Sequence, residues 1–468
     1  MERYLLLVCT RLFILEKNNM ADLLLKKGKI VFMDGIREGD VVVNGGKIVE
    51  IAADYREEAT RVIDCQDKFI FPGVIDAHVH MRVPGTEYKE DFATGSMAAV
   101  SGGVTSFLDM PNNVPPIISK KMLTEKRGLA DGQSFANYGF FFGATDDNVD
   151  EIKRISNVPG IKVYMGQSTG NLIVRKDEVL EQIFSYGKFP VVAHAESQEC
   201  LTRFAEEYAG SDARSRADFH SVVRPSECAR EAVKHVLHLA KKYDARVHIA
   251  HASTAEEIDV IRKFKTDKVT CEVTPHHLVF DDTSYEKLGL KLKVNPPIRT
   301  RADVEALWAA ITDGTVDIVA SDHAPHLLSE KDAEYEACPA GIPGVETILP
   351  VMLDAVNKGL LNLDRVAQLL SAGPARIFGI KGKGRIEVGY DADLVIIDMD
   401  VEKKISNAQM LTKCAWTPWD GMTLKGWPVM TIIGGEVMYE SGGGAGGASA
   451  GVGKFVSSRR AGELDFLQ

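Results

Sequence analysis

Between residues 69 and 378, short apolar runs alternate with stretches of helical periodicity, and this alternation restricts the fold more than any other feature of the chain. The strand candidates 159–165, 190–194, 246–251 and 316–322 are mainly apolar, as expected for strands covered on both faces. A helical partner spans 228–242, where Ala229, Ala232, Val233, Val236, Leu237 and Ala240 recur at helical spacing. Repeated strand and helix units over some three hundred residues predict a parallel α/β architecture, with a (β/α)8 barrel favoured over an open sheet.

The flanks read differently. From Leu23 to about Ile63, short alternating segments are separated by Gly35 and Gly45-Gly46, which is hairpin chemistry. After Lys381 the same style returns in residues 389–398 and 429–437. The expected organisation is an upstream extension at 1–19 and one composite β domain from 20–68 and 381–440. The barrel then occupies 69–380, and a Gly-rich flexible tail covers 441–468. Met20 reads as a more natural start than Met1, and Arg11 interrupts the apolar run near the first residue too early for a signal peptide.

Composition narrows the partners. The chain has 468 residues, 55 basic against 66 acidic, a net charge of -11 and no basic run, which disfavours nucleic acid. No stretch approaches the ~20 apolar residues of a membrane span. An acidic protein that takes an anion must hold it by local groups rather than by its overall field. The seven cysteines are scattered without a CxxC pair, so reduced thiols and a cytoplasmic location are expected.

Chemistry gathers where the strand candidates end. His78, His80 and Arg82 follow the apolar run 69–77, and their alternation puts all three on one face if the extended conformation continues. Lys162, His194, His251 and Asp322 stand on or at the ends of four further strands. Singly, each histidine is more simply a buried ring with a backbone partner, and Asp322 a turn cap. Together they supply nitrogen and oxygen ligands suited to Zn²⁺ or a similar ion. Lys162 is the exception, because an ammonium is repelled by a dication. The plain reading is a snorkelling lysine, and the alternative is a carbamate, an anionic ligand able to bridge two metals.

The segment His78-Val79-His80-Met81-Arg82-Val83-Pro84-Gly85 is followed in order by motifs at 109–112, 161–166, 193–196, 248–251, 274–278, 294–299 and 321–326. This series resembles the cyclic amidohydrolases over about residues 22–440, and within them the dihydroorotase group. The resemblance implies an amidohydrolase barrel with a composite β-sandwich. It assigns His78 and His80 to one zinc, His194 and His251 to a second, carboxylated Lys162 and a hydroxide as bridges, and Asp322 to the first zinc and to proton transfer. It further implies that Arg82, Asn112 and His326 hold a substrate carboxylate, while Asn295 and the 339–344 segment, with Pro339 and Gly341, border the ring. Val83 departs from the acidic residue of many relatives at a position that is not a ligand.

The implied reaction is the reversible interconversion of N-carbamoyl-L-aspartate and (S)-dihydroorotate in de novo pyrimidine biosynthesis. An allantoinase or hydantoinase type of cyclic amidase, and a silent barrel serving as an assembly partner, are the alternatives. Arg82 favours a carboxylated substrate over a neutral ring, and the intact ligand set argues against silence. The expected partner is a small molecule, with no nucleic acid and no membrane; a homo-oligomer and association with aspartate carbamoyltransferase stay open. His248 and His323 read as groups that orient ligands, His276 and His277 as site or packing residues with equal weight, and His220 with Arg224 as a structural corner or a closing element. The polar stretch 327–338 reads as a lid.

Overall fold

A computed structural model of the protein describes residues 20–167, 172–211, 216–442 and 453–467. The expected extension 1–19 lies outside the described residues. Two kinds of sheet are present. One is a nine-stranded, mainly antiparallel sheet, and the others are parallel sheets of six and three strands.

The nine-stranded sheet joins both flanks. The hairpins Ala21–Phe32, Gly35–Asn44 and Lys47–Ala52 pair antiparallel, with Gly45 and Gly46 both at positive φ in the second turn, where the twist of a two-residue hairpin requires it. Leu394–Lys404, Thr423–Ile433 and Glu436–Glu440 continue the sheet from the other flank. Phe69–Pro72 is the link between the halves, pairing with Ala21–Phe32 on one side and Leu394–Lys404 on the other.

That link corrects the reading of 69–77 as one strand. The chain passes from the outer sheet to the parallel strand Val74–Val79 at Gly73, where a Cβ would lie 2.3 Å from Thr105 Oγ1. Only a residue without a side chain permits this approach. The boundary between the two units therefore falls at Gly73 rather than before Phe69.

Val74–Val79, Val104–Asp109 and Asn137–Phe140 pair in parallel. Phe142–Gly143, Ile161–Tyr164, Val191–His194, Val247–Ile249, Val269–Val273 and Ile318–Val319 form the second parallel sheet in chain order. A single residue, Phe141, separates the two series, and a parallel bridge joins Val79 to His323. Helices follow the strands, as the alternation predicts. The helix expected at 228–242 spans Ser226–Tyr243 and buries the face containing Ala229, Ala232, Val233, Val236, Leu237 and Ala240. Ala255–Phe264 begins at a capping box between Thr254 and Glu257, which satisfies donors the first turn leaves open. Every residue of the parallel strands from Val74 to Asp109 and from Ile161 to Ile249 is buried, which is why these segments are mainly apolar and why their few polar residues stand out.

Two further expectations change. Residues 453–467 are not a free tail: Lys454–Phe455 pairs with Glu436–Glu440, and Ala461, Leu464 and Phe466 are buried, Phe466 lying over Gly139. The apolar spacing Leu464-Phe466 carried that signal, but it stands behind a Gly-rich segment. The thiols are not all reduced either, since Cys200 and Cys228 form a disulfide. Their helices, Gln198–Glu207 and Ser226–Tyr243, bring Cα atoms 28 residues apart in sequence to within 5.3 Å, which spacing alone does not reveal. The thiol argument for a cytoplasmic location is thereby removed. Among the described residues, no helix is long and apolar enough to cross a membrane.

Candidate active site

The sequence-predicted ligands converge at the C-terminal ends of the parallel strands, the end at which such folds build sites. His78, His80, Lys162, His194, His251 and Asp322 line one cavity of about 360 Å³ together with Arg82, Asn112, Tyr164, Asn295, Ala340 and Gly341. A larger cleft, about 1110 Å³, opens near Lys47, Lys383, Asp391 and Asp393, but these four charges pair with one another.

Backbone strain is concentrated in the smaller cavity. Arg82, His251 and Asp322 have φ of 63°, 36° and 45°, a region costly for residues with a side chain. Arg82 therefore does not prolong the extended strand, which ends at Val79, and it reaches the cavity from a turned backbone instead. Gly341, at φ +138°, passes so close to Ala324 that a Cβ would lie 2.5 Å from its carbonyl oxygen.

Three of the imidazoles, those of His78, His80 and His194, are held from behind. His78 Nδ1 lies 2.5 Å from Glu272 Oε1, leaving Nε2 3.4 Å from Asp322 Oδ1. His80 Nδ1 lies 2.7 Å from Asn112 Oδ1, leaving Nε2 3.0 Å from the same aspartate oxygen. Ligand atoms of His78, His80 and Asp322 all fall within 4.8 Å of one another, a group able to hold a metal ion. On the neighbouring strands Glu196 Oε2 takes His194 Nε2 at 3.0 Å, and His194 Nδ1 then faces His251 Nε2 at 2.9 Å. Carboxylates behind metal-ligating imidazoles orient the rings and raise their basicity.

Charge states follow from burial. Burial lowers the His80 pKa to about 4 and brings those of His194 and His251 down, so these rings are neutral and ready to coordinate. Asp322 behaves oppositely. Burial alone would raise it, yet the neighbouring His78, His80 and His251 hold its carboxyl far below the usual range. Lys162 is fully buried, its Nζ has no hydrogen-bond partner, and burial lowers its pKa to about 8. The snorkelling reading is thus excluded. An unpartnered amine beside two imidazole pairs fits a group that is completed by a further atom or ion.

Arg82 is 5% exposed. Its Nε donates to Pro325 O at 3.1 Å and Nη2 lies 3.1 Å from His326 Nε2, but no carboxylate among the described residues forms an ion pair with it. Asn295 Oδ1 lies 2.8 Å from His220 Nε2. Pro339 does not line the cavity, and its carbonyl accepts from the buried Lys331 Nζ at 2.8 Å, whereas Ala340 and Gly341 form part of the wall. His326 stands behind Arg82 and Ala340 rather than on the wall itself.

Glu272, Glu196 and Tyr164 were not singled out from the sequence. An acidic residue within the apolar strand Val269–Val273 was the available signal for Glu272, whose other oxygen lies 3.1 Å from His248 Nε2. Glu196 is gripped by Arg224, with Nη2 at 2.5 Å, so Arg224 acts on His194 through this carboxylate rather than closing over the cavity. The buried Tyr164 hydroxyl has no partner and borders the cavity. His277 is a packing residue bonded to Thr274 Oγ1 and the Pro296 carbonyl, while His323 Nδ1 accepts from Gly344 N at 3.1 Å and supports the 339–344 segment. The stretch 327–338 is pinned by Lys293 Nζ, which donates to the Tyr335 and Cys338 carbonyls.

Known proteins resemble this arrangement in sequence and in shape. The amidohydrolase family model matches residues 69–438. A dihydroorotase of Methanosarcina mazei is 36% identical over 437 residues, covering 90% of this chain and 94% of that protein. One from Pyrococcus horikoshii is 36% identical over 417 residues, covering 88% and 91%. Among solved structures, an L-hydantoinase (dihydropyrimidinase) from Arthrobacter aurescens superposes with a TM-score of 0.90 at 29% identity, covering 95% of this chain and all of that one. A dihydropyrimidinase from Brevibacillus agri gives 0.85 at 27% identity over 94% and 97%. With the family match at residues 69–438 and a relative 36% identical over 90% of the sequence, the chain belongs to the amidohydrolase family.

Proposed function

We propose that the protein hydrolyses and re-forms a cyclic amide bearing a carboxylate, interconverting (S)-dihydroorotate and N-carbamoyl-L-aspartate in pyrimidine biosynthesis. The observation that carries this reading is Arg82: a buried guanidinium at the cavity wall without an ion-pair partner calls for an anion from outside. A hydantoin or allantoin ring lacks that carboxylate, and the curated relatives at 34–37% identity are dihydroorotases. The eight strand positions, bridged at Phe141 and between Val79 and His323, support a closed (β/α)8 barrel from residue 73 to about 380, with the composite β domain formed by 20–72 and 381–440.

The donor set fits two metal ions, read as zinc. His78, His80 and Asp322 would hold one, and His194 with His251 the other, with Lys162 carboxylated between them. The lowered Lys162 pKa supports this, because only a neutral amine adds CO₂. Bound zinc supplies a Lewis acid and a water whose pKa falls to about 7.

The remaining steps belong to the chain's own residues. Arg82 fixes the substrate carboxylate with a planar fork of donors. Asn295 and the backbone at Ala340 and Gly341 bound the ring and exclude bulk water. Asp322, ionised, receives the proton from the attacking water at its carboxylate oxygen. It then delivers that proton to the departing ring nitrogen, and ring closure retraces the path. The Tyr164 hydroxyl, unpartnered in the cavity, is available to donate to substrate oxygen. Zinc-loaded protein assayed with dihydroorotate, allantoin and hydantoin tests the reading. Turnover of dihydroorotate is expected, and hydrolysis of either neutral ring without it would overturn the assignment.

A further inference from the structure

Lys89 and Glu330 take no part in these steps, yet they grip His326 from the side away from Arg82. Lys89 Nζ donates to His326 Nδ1 at 2.9 Å and pairs with Glu330 Oε1 at 2.9 Å. The Tyr88 hydroxyl donates to that same oxygen, and Leu327 N donates to Glu330 Oε2 at 2.9 Å, so the carboxylate is fixed in turn. At the far side of the ring, Nε2 lies 3.1 Å from Ala340 O and 3.1 Å from Arg82 Nη2. Burial, with Arg82, Lys89 and Lys331 nearby, keeps this imidazole neutral.

A neutral imidazole has one N–H and one acceptor nitrogen. An ammonium can only donate, so the nitrogen facing Lys89 must be the acceptor, and the proton belongs on Nε2. The Ala340 carbonyl agrees, since it can only accept. Arg82 Nη2 and His326 Nε2 are then two donors facing each other at 3.1 Å, a contact that is not a hydrogen bond. The Ala340 carbonyl takes the Nε2 proton, so Arg82 Nη2 gains no acceptor from this ring and is left for an oxygen from outside.

We propose that Lys89, held by Glu330, is a positioning residue that fixes the His326 proton on Nε2, so that the ring holds the Ala340 carbonyl of the cavity wall and offers Arg82 no acceptor, leaving Arg82 to read the substrate carboxylate. The identity of that carboxylate rests on the function proposed above, whereas the tautomer does not.

The test uses the full zinc-loaded chain labelled with ¹⁵N-histidine, with His326→Gln assigning the resonances. Long-range proton–nitrogen correlation is expected to give a single Nε2–H tautomer for His326 in the wild type. Lys89→Met is expected to give a mixture, with KM for dihydroorotate raised about tenfold and kcat changed much less. Lys89→Arg, which keeps a cationic donor, should restore both readouts, and Glu330→Gln should lie between. An Nδ1–H tautomer in the wild type, or a Lys89→Met tautomer identical to it, overturns the proposal. A shifted tautomer with unchanged KM overturns the positioning role. Absence of dihydroorotate turnover in the wild type instead sinks the substrate assignment, while the tautomer is still decided by the spectrum.

Discussion

Replacing Arg82 by methionine separates recognition of a carboxylate from everything else the cavity does. The guanidinium is buried and, among the described residues, its one hydrogen bond is the donation from Nε to Pro325 O, with His326 Nε2 in contact. Methionine retains much of the side-chain volume and leaves no buried carboxylate unpaired, since none pairs with Arg82. Folding stability should therefore hold or rise slightly, because a buried charge without its counter-ion is removed. Substrate binding loses charge-assisted hydrogen bonds, each worth about 1.5–3 kcal/mol. A loss of roughly 2–3 kcal/mol lowers kcat/KM by about 30- to 150-fold, carried mainly by KM. Steady-state kinetics with dihydroorotate and with dihydrouracil, which has the ring without the carboxylate, provides the assay, and thermal unfolding provides the control. Any activity on dihydrouracil should be nearly unaffected. An unchanged KM for dihydroorotate, or an equal loss on both rings at unchanged Tm, would refute the argument.

Other perturbations address the metal group and the proton path. Asp322→Asn should lower single-turnover rates by about 10³-fold or more while calorimetry still detects substrate, since the side chain keeps its size and loses its basicity; a near-normal rate would remove Asp322 from proton transfer. Glu272→Ala frees the Nδ1 side of His78 and should weaken metal affinity by about 10- to 100-fold, read by competition with a chelator. In metal-free protein, ¹³CO₂ incorporation at Lys162 should increase as pH rises through about 8, because the ammonium below that value does not react. A ¹³C carbamate signal that is absent, or that persists in Lys162→Ala, would reject the bridging role.

The candidate ligands were legible because they interrupt strands that are otherwise apolar. A histidine, lysine or aspartate on a fully buried strand or at its end stands out in the linear pattern, and six such residues on five segments lead to one cavity. Their partners were less legible. Glu272, Glu196 and Lys89 lie 194, 2 and 237 residues from the rings they hold, and only Glu196 is a near neighbour in the chain. Hydrogen bonding to a ring nitrogen depends on angle and distance across strands, which residue spacing does not encode. Asn112 illustrates the same limit: it lines the cavity, and spacing gave no sign that its Oδ1 also engages His80.

Local chemistry by itself determined the alternation of strands and helices, the glycine hairpins of the first flank, the six ligand candidates and the importance of Arg82. Each of these follows from periodicity or residue type within a few positions. Tertiary structure alone decided that Phe69–Pro72 belongs to the outer sheet, that Leu464 and Phe466 close onto the parallel strands, that Cys200 meets Cys228, and that Arg82 forms no ion pair among the described residues. Those outcomes depend on which distant surfaces exclude water together, and burial and pairing are properties of the packed chain rather than of any segment.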